Sequence, residues 1–257
     1  MLIIDSHCHL DDESFDQDRK EILDKIKQNN VNIICSGYTL ETSKKAIKIA
    51  NENINIFATI GISPNDIAKD KEKIYLELEK LEEIAKKEHK VVGIGEIGLD
   101  YHWEKNNKEF QKDIFIRQIE IANRLDMPIA IHSREAYKDT IEVLRKHPVN
   151  KKGVFHCCEH NMELIREALE IGFYISFAGP ITFKNAKHAN DIIQMVPNDK
   201  FLIETDSPYL SPEPIRGRRN DPTNVIYVAK KVAEIKRKTL EEVAELAFNN
   251  TKKLYNF

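Results

Sequence analysis

Eight short apolar runs rich in β-branched residues recur along this chain, and the stretches between them carry apolar residues at helical spacing. The runs cover residues 2–4, 32–35, 56–60, 91–94, 128–131, 153–155, 173–177 and 201–203. Each is short enough to be a strand buried on both faces, as in a parallel sheet covered by helices. Between them, Ile22 and Ile26 share one helical face, as do Ile74, Leu78, Leu81 and Ala85, and then Ile114, Ile121 and Leu125. After the last run come Val228, Val232 and Ile235, then Leu240, Val243 and Leu246, with Thr239 and Glu242 spaced as a capping box. Strand and helix alternating eight times within 257 residues predict a (β/α)8 barrel of the TIM type, with a doubly wound open sheet as the alternative. No Gly/Ser linker or break in composition divides the chain. The highly charged stretch 69–90 keeps its apolar residues in helical register and reads as a solvated helix face. Residues 1–257 therefore read as one domain.

Charge and cysteine content narrow the partners. The formal net charge of -3 is not the footprint of a general nucleic-acid binder, so an anionic substrate would need a local basic patch. The four cysteines, Cys8, Cys35, Cys157 and Cys158, have no framework spacing, which suits a reducing cytoplasm. The first apolar run reaches Asp5 after three residues, too few for a signal-peptide core. No run approaches the roughly 20 residues that cross a bilayer. The expectation is a soluble cytoplasmic protein with no membrane partner and no obligate protein partner.

In barrels of this kind the reactive groups stand at the C-terminal ends of the strands. The first run delivers His7 and His9, two imidazoles of the same parity with Asp5 below them. The fourth delivers Glu96, the fifth His132, the sixth His156 and the eighth Asp206. A lone histidine is commonly a satisfied core or surface residue. Four imidazoles and two carboxylates at the ends of five strands are the donor set of Zn, Mn or a related divalent ion. Six ligands exceed what one tetrahedral ion takes, so two ions sharing Glu96 are expected. Glu204 shares parity with Asp206 and is either a ligand of a further ion or a carboxylate that orients a histidine. His89, His147, His160 and His188 read as surface residues, and His102 as a residue near a substrate cleft. The vicinal Cys157-Cys158 pair reads as buried thiols.

Several separated motifs then resemble the TatD family of metal-dependent deoxyribonucleases, within the amidohydrolase-like barrels. They are Asp5-Ser6-His7-Cys8-His9-Leu10, Gly93-Ile94-Gly95-Glu96-Ile97-Gly98-Leu99-Asp100-Tyr101, His132-Ser133-Arg134-Glu135-Ala136, and Glu204-Thr205-Asp206-Ser207-Pro208-Tyr209-Leu210 with Arg216-Gly217-Arg218-Arg219-Asn220. The resemblance implies a (β/α)8 fold and divalent-metal-dependent, exonucleolytic hydrolysis of DNA. It implies one ion on His7, His9, Glu96 and Asp206, and a second on Glu96, His132 and His156, with Mg, Mn, Zn or a similar metal. Two positions depart from the family. Ile62-Ser63-Pro64 stands where a His-Pro is usual, and Cys157-Cys158-Glu159-His160 replaces a small-residue turn after His156.

The expected chemistry is attack on a phosphodiester by a water that two ions activate, with Asp206 as general base beside Glu96. Arg134 and the Arg216, Arg218 and Arg219 cluster offer fork-shaped donors to phosphate. Tyr101, Trp103 and Tyr209 read either as packing residues or as platforms for an unpaired base, which suits single strands or frayed ends. Two rivals remain at this level. One is a barrel hydrolase for a small amide, ester or lactone, which has less use for an arginine-rich rim. The other is a metal-dependent nucleic-acid-binding protein without catalysis, against which the complete ligand set argues.

Overall fold

Strand pairing follows chain order, each strand parallel to the one before it. The strands are β1 (Ile3–Cys8), β2 (Val31–Ser36), β3 (Ile56–Ile60), β4 (Val91–Asp100), β5 (Ile129–Arg134), β6 (Gly153–Phe155), β7 (Tyr174–Phe177) and β8 (Phe201–Ile203). In this computed structural model, which describes residues 1–67, 70–103, 107–158, 161–186 and 188–257, they form one parallel sheet in the order β1 to β8. Helices alternate with them: α1 (Arg19–Gln28), α2 (Leu40–Glu52), α3 (Lys71–Lys87), α4 (Lys108–Leu125), α5 (Tyr137–Lys146), α6 (Met162–Glu170), α7 (Ala189–Met195), α8 (Val225–Lys236) and α9 (Leu240–Tyr255). The result is a nearly closed (β/α)8 barrel, as the alternation of periods predicts.

The seam between β8 and β1 is joined just beyond β8. The Asp206 N–H donates to the His7 carbonyl at 3.0 Å, and the His9 N–H donates to the Ser207 carbonyl at 2.8 Å. Asp5, fully buried, accepts the Thr205 N–H at 2.9 Å and the Thr205 hydroxyl at 2.5 Å. Asp5 was expected beneath the two histidines; its observed role is to tie these two strand ends together. Burial pushes its carboxyl well above the usual range, against the lowering effect of the Thr205 hydrogen bonds.

Two apolar layers hold the barrel. Ile4, Ile34, Val92, Ala130, Val154, Tyr174 and Leu202, one from each of seven strands, pack with Leu254 and Tyr255 at the end of α9 and so fill the floor beneath the site. The larger layer lies between the strands and the surrounding helices. It takes in Ile22 and Ile26, then Ile74, Leu78, Leu81 and Ala85, then Ile114 and Ile121, and Val228 and Val232, the faces that helical spacing selects. Thr239 and Glu242 form the expected capping box, each side chain accepting the other's backbone N–H. Among the described residues no helix is long and apolar enough to cross a membrane.

Two strands outrun their apolar runs, and both extensions matter for the site. β1 continues through Asp5 to Cys8, and β4 continues past Ile94 through Glu96 to Asp100. Hydrophobicity ends a strand where the side chains turn polar. Here the polar side chains face the barrel mouth, while the ladder continues along Gly98–His132 and Asp100–Arg134. Gly98 permits that pairing. Its φ is +143°, and a β-carbon there would lie 2.0 Å from the His132 carbonyl oxygen.

Candidate metal centre

The polar strand ends converge on Glu96. Its Oε2 lies 3.3 Å from His7 Nε2 and 3.6 Å from His9 Nε2, while its Oε1 lies 2.9 Å from His132 Nδ1 and 3.4 Å from His156 Nε2. One carboxylate thus presents each oxygen to a different pair of imidazoles. Asp206 Oδ1 closes the first group at 3.3 Å from His9 Nε2 and 3.7 Å from His7 Nε2. Ligands about 2.0–2.2 Å from a tetrahedral ion stand roughly 3.4 Å from one another, so these spacings fit one ion on each side of Glu96. Three sets of donors, His7 with His9 and Glu96, His7 with His156 and Asp206, and Glu96 with His132 and His156, each lie within 4.8 Å.

Unpaired atoms point the same way. His7 Nε2 and His156 Nδ1 are buried without a hydrogen bond among the described residues, as is Glu204 Oε2. Orphaned buried polar atoms are costly, and those that persist call for a partner such as an ion. His7 Nε2 is such an atom within the ligand group. All six expected ligands are therefore brought together, and their chemistry suits a divalent ion.

The outer contacts fix which nitrogen each ring offers. His9 Nδ1 is 2.8 Å from the Ser36 carbonyl oxygen, so Nδ1 carries the ring proton and Nε2 faces Glu96 and Asp206. Ser36 Oγ is 3.1 Å from His7 Nδ1 and 2.6 Å from Thr59 Oγ1, which orients the second ring of the pair. Asp100 Oδ2 holds His132 Nε2 at 2.9 Å, leaving Nδ1 for Glu96. Glu204 Oε1 lies 3.5 Å from His156 Nδ1 and accepts the Cys157 N–H at 2.6 Å. Glu204 thus stands behind His156 and is absent from the three donor sets, so of its two expected roles the geometry favours orientation.

These contacts set the charges. Burial opposes ionisation of Glu96, but the positive charge of His156 and the closeness of the His132, His156 and His7 imidazoles hold its carboxyl well below the usual range. Asp100 is disfavoured by burial yet drawn down to about 2 by His132. Burial opposes charge on His9, and the hydrogen bond and charge of Asp206 outweigh it, pushing the imidazole up to about 9. Burial lowers His7, assisted by the charge of His156, whose ring stacks on it at 4.0 Å.

A cavity of about 770 Å³ opens above the ligands, lined by His9, Glu96, His132, His156 and Asp206 at its base. Arg134 and Trp103 line its wall, as do Ser63, Cys157 and Cys158, the positions that depart from the family pattern. Cys157 and Cys158 are half-buried beside the cavity, whereas Cys8 and Cys35 are the fully buried thiols. Of the other expected phosphate donors, Arg216 stacks on Phe183 at 4.0 Å and Arg218 is exposed outside the cavity lining. Arg219 binds both oxygens of Asp18 and the Ser14 carbonyl and lies over Phe15. Its place is a clamp between two loops, because the acidic loop after β1 reaches its guanidinium. Tyr101 is buried, its hydroxyl 2.7 Å from Asp139, and packs rather than stacks on a ligand. His89 and His188 are exposed and His147 half-buried; His160 falls outside the described residues.

The sequence reading missed Asp100, Ser36 and Thr59. Asp100 shares parity with Glu96 on one strand, a usable signal. Ser36 ends an apolar strand as the ligands do, but a hydroxyl is not a ligand type and draws no attention.

A parallel barrel with this donor set at its C-terminal rim defines a metal-dependent hydrolase. The chain belongs to the TatD-related DNase family, whose model matches residues 4–256. It is 40% identical to the uncharacterized metal-dependent hydrolase YabD of Bacillus subtilis over 99% of both chains. It is 32% identical to the uncharacterized metal-dependent hydrolase MJ1582 of Methanocaldococcus jannaschii, over 98% of this chain and 96% of that one. Among solved structures it superposes on YJJV, a TatD homolog from Escherichia coli K12, with a TM-score of 0.92 at 28% identity, covering 99% of this chain and 98% of that one.

Proposed function

We propose that the protein hydrolyses phosphodiester bonds in DNA at a site holding two divalent ions, one on His7, His9, Glu96 and Asp206 and one on Glu96, His132 and His156. The observation that carries the two-ion reading is the pair of Glu96 oxygens, each facing its own pair of imidazoles. Bound there, divalent ions would draw the pKa of a water toward neutrality and offset the charge that develops on phosphoryl oxygens. Asp206 is held in its carboxylate form, since hydrogen bonding to His9 and nearby imidazole charge overcome burial. It therefore accepts the proton of the attacking water. Arg134, at the end of β5 and on the cavity wall, supplies a guanidinium for a phosphate oxygen. The base of the cavity carries carboxylates and imidazoles, so a neutral amide would leave Arg134 without a matching group.

The family description supports DNA as the polymer. The cavity volume is that of a pocket enclosing a single small ligand, so a nucleic acid would reach the carboxylates by one strand or one end. The test is cleavage of end-labelled single-stranded and nicked DNA with magnesium, manganese or zinc. Ion-dependent cleavage that a chelator stops and Asp206→Asn abolishes is expected. Intact DNA under all ions would overturn the proposal, and turnover of a neutral amide in its place would establish the rival.

A further inference from the structure

Trp103 is the only tryptophan in the chain, and 67% of its surface is exposed. An indole is a large apolar surface to leave in water, and this one stands on the wall of the metal cavity. It is also held in place. The backbone N–H groups of His102 and Trp103 donate to Asp100 Oδ1 at 2.8 and 3.2 Å, while Asp100 Oδ2 binds His132. One buried carboxylate therefore anchors the backbone that carries the indole and also holds a candidate ligand. The His102 ring stands at 88° to the indole with centroids 4.7 Å apart, and His102 Nδ1 is 2.6 Å from Glu135 Oε1. The Arg134 guanidinium lies over the indole at 5.5 Å, within cation–π range.

We propose that Trp103 and Arg134 form a nucleotide subsite, in which the indole stacks one unpaired base and the guanidinium binds the adjoining phosphate. The proposal rests on the phosphodiester reading above for the identity of the reaction, and adds how the strand is gripped. A base within an intact duplex has both faces stacked and must be unstacked to reach the indole, at a cost of a few kcal/mol. A single strand or a frayed end meets no such cost. Base–aromatic stacking is tolerant of sequence because every base has a π-face, so the subsite selects strandedness rather than sequence. Trp103 contributes to binding and Arg134 to binding and alignment.

The lone tryptophan makes the test direct. Full-length protein with magnesium is titrated with a short phosphorothioate-linked single strand, which resists cleavage, while indole fluorescence and the anisotropy of a dye on the strand are recorded together. Matched probes are an abasic strand of the same length and a blunt duplex. Saturable quenching by the single strand, little by the abasic strand and little by the duplex are expected. Trp103→Ala should weaken the intact strand by roughly five- to 150-fold, the range of base–aromatic stacking, and leave the abasic strand unchanged. Trp103→Phe should recover most of the affinity, and Arg134→Gln should weaken both strands. Binding without quenching would overturn the subsite, as would an equal loss for intact and abasic strands in Trp103→Ala, or no binding at all. Binding with quenching but no cleavage of ordinary DNA would leave the subsite standing and remove the phosphodiester reading instead.

Discussion

Replacing Ser36 by alanine tests whether the site depends on a hydroxyl that touches no ion. Ser36 is fully buried, with Oγ 3.1 Å from His7 Nδ1 and 2.6 Å from Thr59 Oγ1. For His7 to offer a lone pair at Nε2, its Nδ1 must carry the proton and donate it to Ser36, whose own hydrogen then goes to Thr59. Ser36→Ala leaves a buried N–H without an acceptor, at a cost of about 1–3 kcal/mol. The ring can escape that cost by moving its proton to Nε2, where Glu96 Oε2 waits at 3.3 Å, and the lone pair is then lost to the ion. Loss of an outer partner of this kind lowers metal affinity about 10–100-fold, or roughly 1.4–2.8 kcal/mol at 1.4 per decade. His9 is spared, because its partner is the Ser36 carbonyl. Chelator competition against a zinc or manganese titration measures the affinity, and the nitrogen shifts of His7 report the tautomer. In a His7→Gln background the effect of Ser36→Ala should vanish. Wild-type affinity in the single variant, or an undiminished loss in the double variant, would show that the hydroxyl does not act through His7.

Further outcomes follow from the same contacts. Glu96→Gln should cost more than the 10–100-fold expected of Asp100→Asn, measured as metal affinity and as turnover, because it touches both imidazole pairs whereas Asp100 orients only His132. Removing metal with a chelator should lower the melting temperature and added zinc or manganese should restore it, since ions that bind only the folded state stabilise it by mass action. In the metal-free protein His9 has its pKa raised from 6.5 to about 9. Its contribution to stability is then complete below about pH 6.5 and lost as pH rises through about 9, so the melting difference between wild type and His9→Gln should shrink across that window. Because the imidazoles must be neutral to bind, ion uptake below pH 9 should release protons, measurable by calorimetry in buffers of different ionisation enthalpy. Arg219→Gln should leave the midpoint of the thermal melt nearly unchanged, as solvent screens its pair with Asp18.

The sequence by itself determined the repeat and the inventory. Periods of apolar residues specify which faces are buried, and a chain whose strands are covered on both sides has few ways to arrange eight of them, so the barrel was legible. That His7, His9, Glu96, His132, His156 and Asp206 would meet at one rim was legible too, because ligand types recurring at strand ends are improbable by chance. Tertiary structure decided how those residues are used. Asp5 was expected only to sit beneath His7 and His9, and its tie from β1 to the chain just beyond β8 was not legible, since its partner Thr205 lies 200 residues away. Arg219 looked like a phosphate donor and is held by Asp18, again a distant residue. Asp100, Ser36 and Thr59 gained their importance only when β2, β3 and β4 brought a proton acceptor to a particular ring nitrogen. Local sequence encodes burial and propensity, which act over a few residues. The direction of a hydrogen bond and the choice of a tautomer depend on atoms from separate strands meeting within about 3 Å, and only the closed barrel sets those distances.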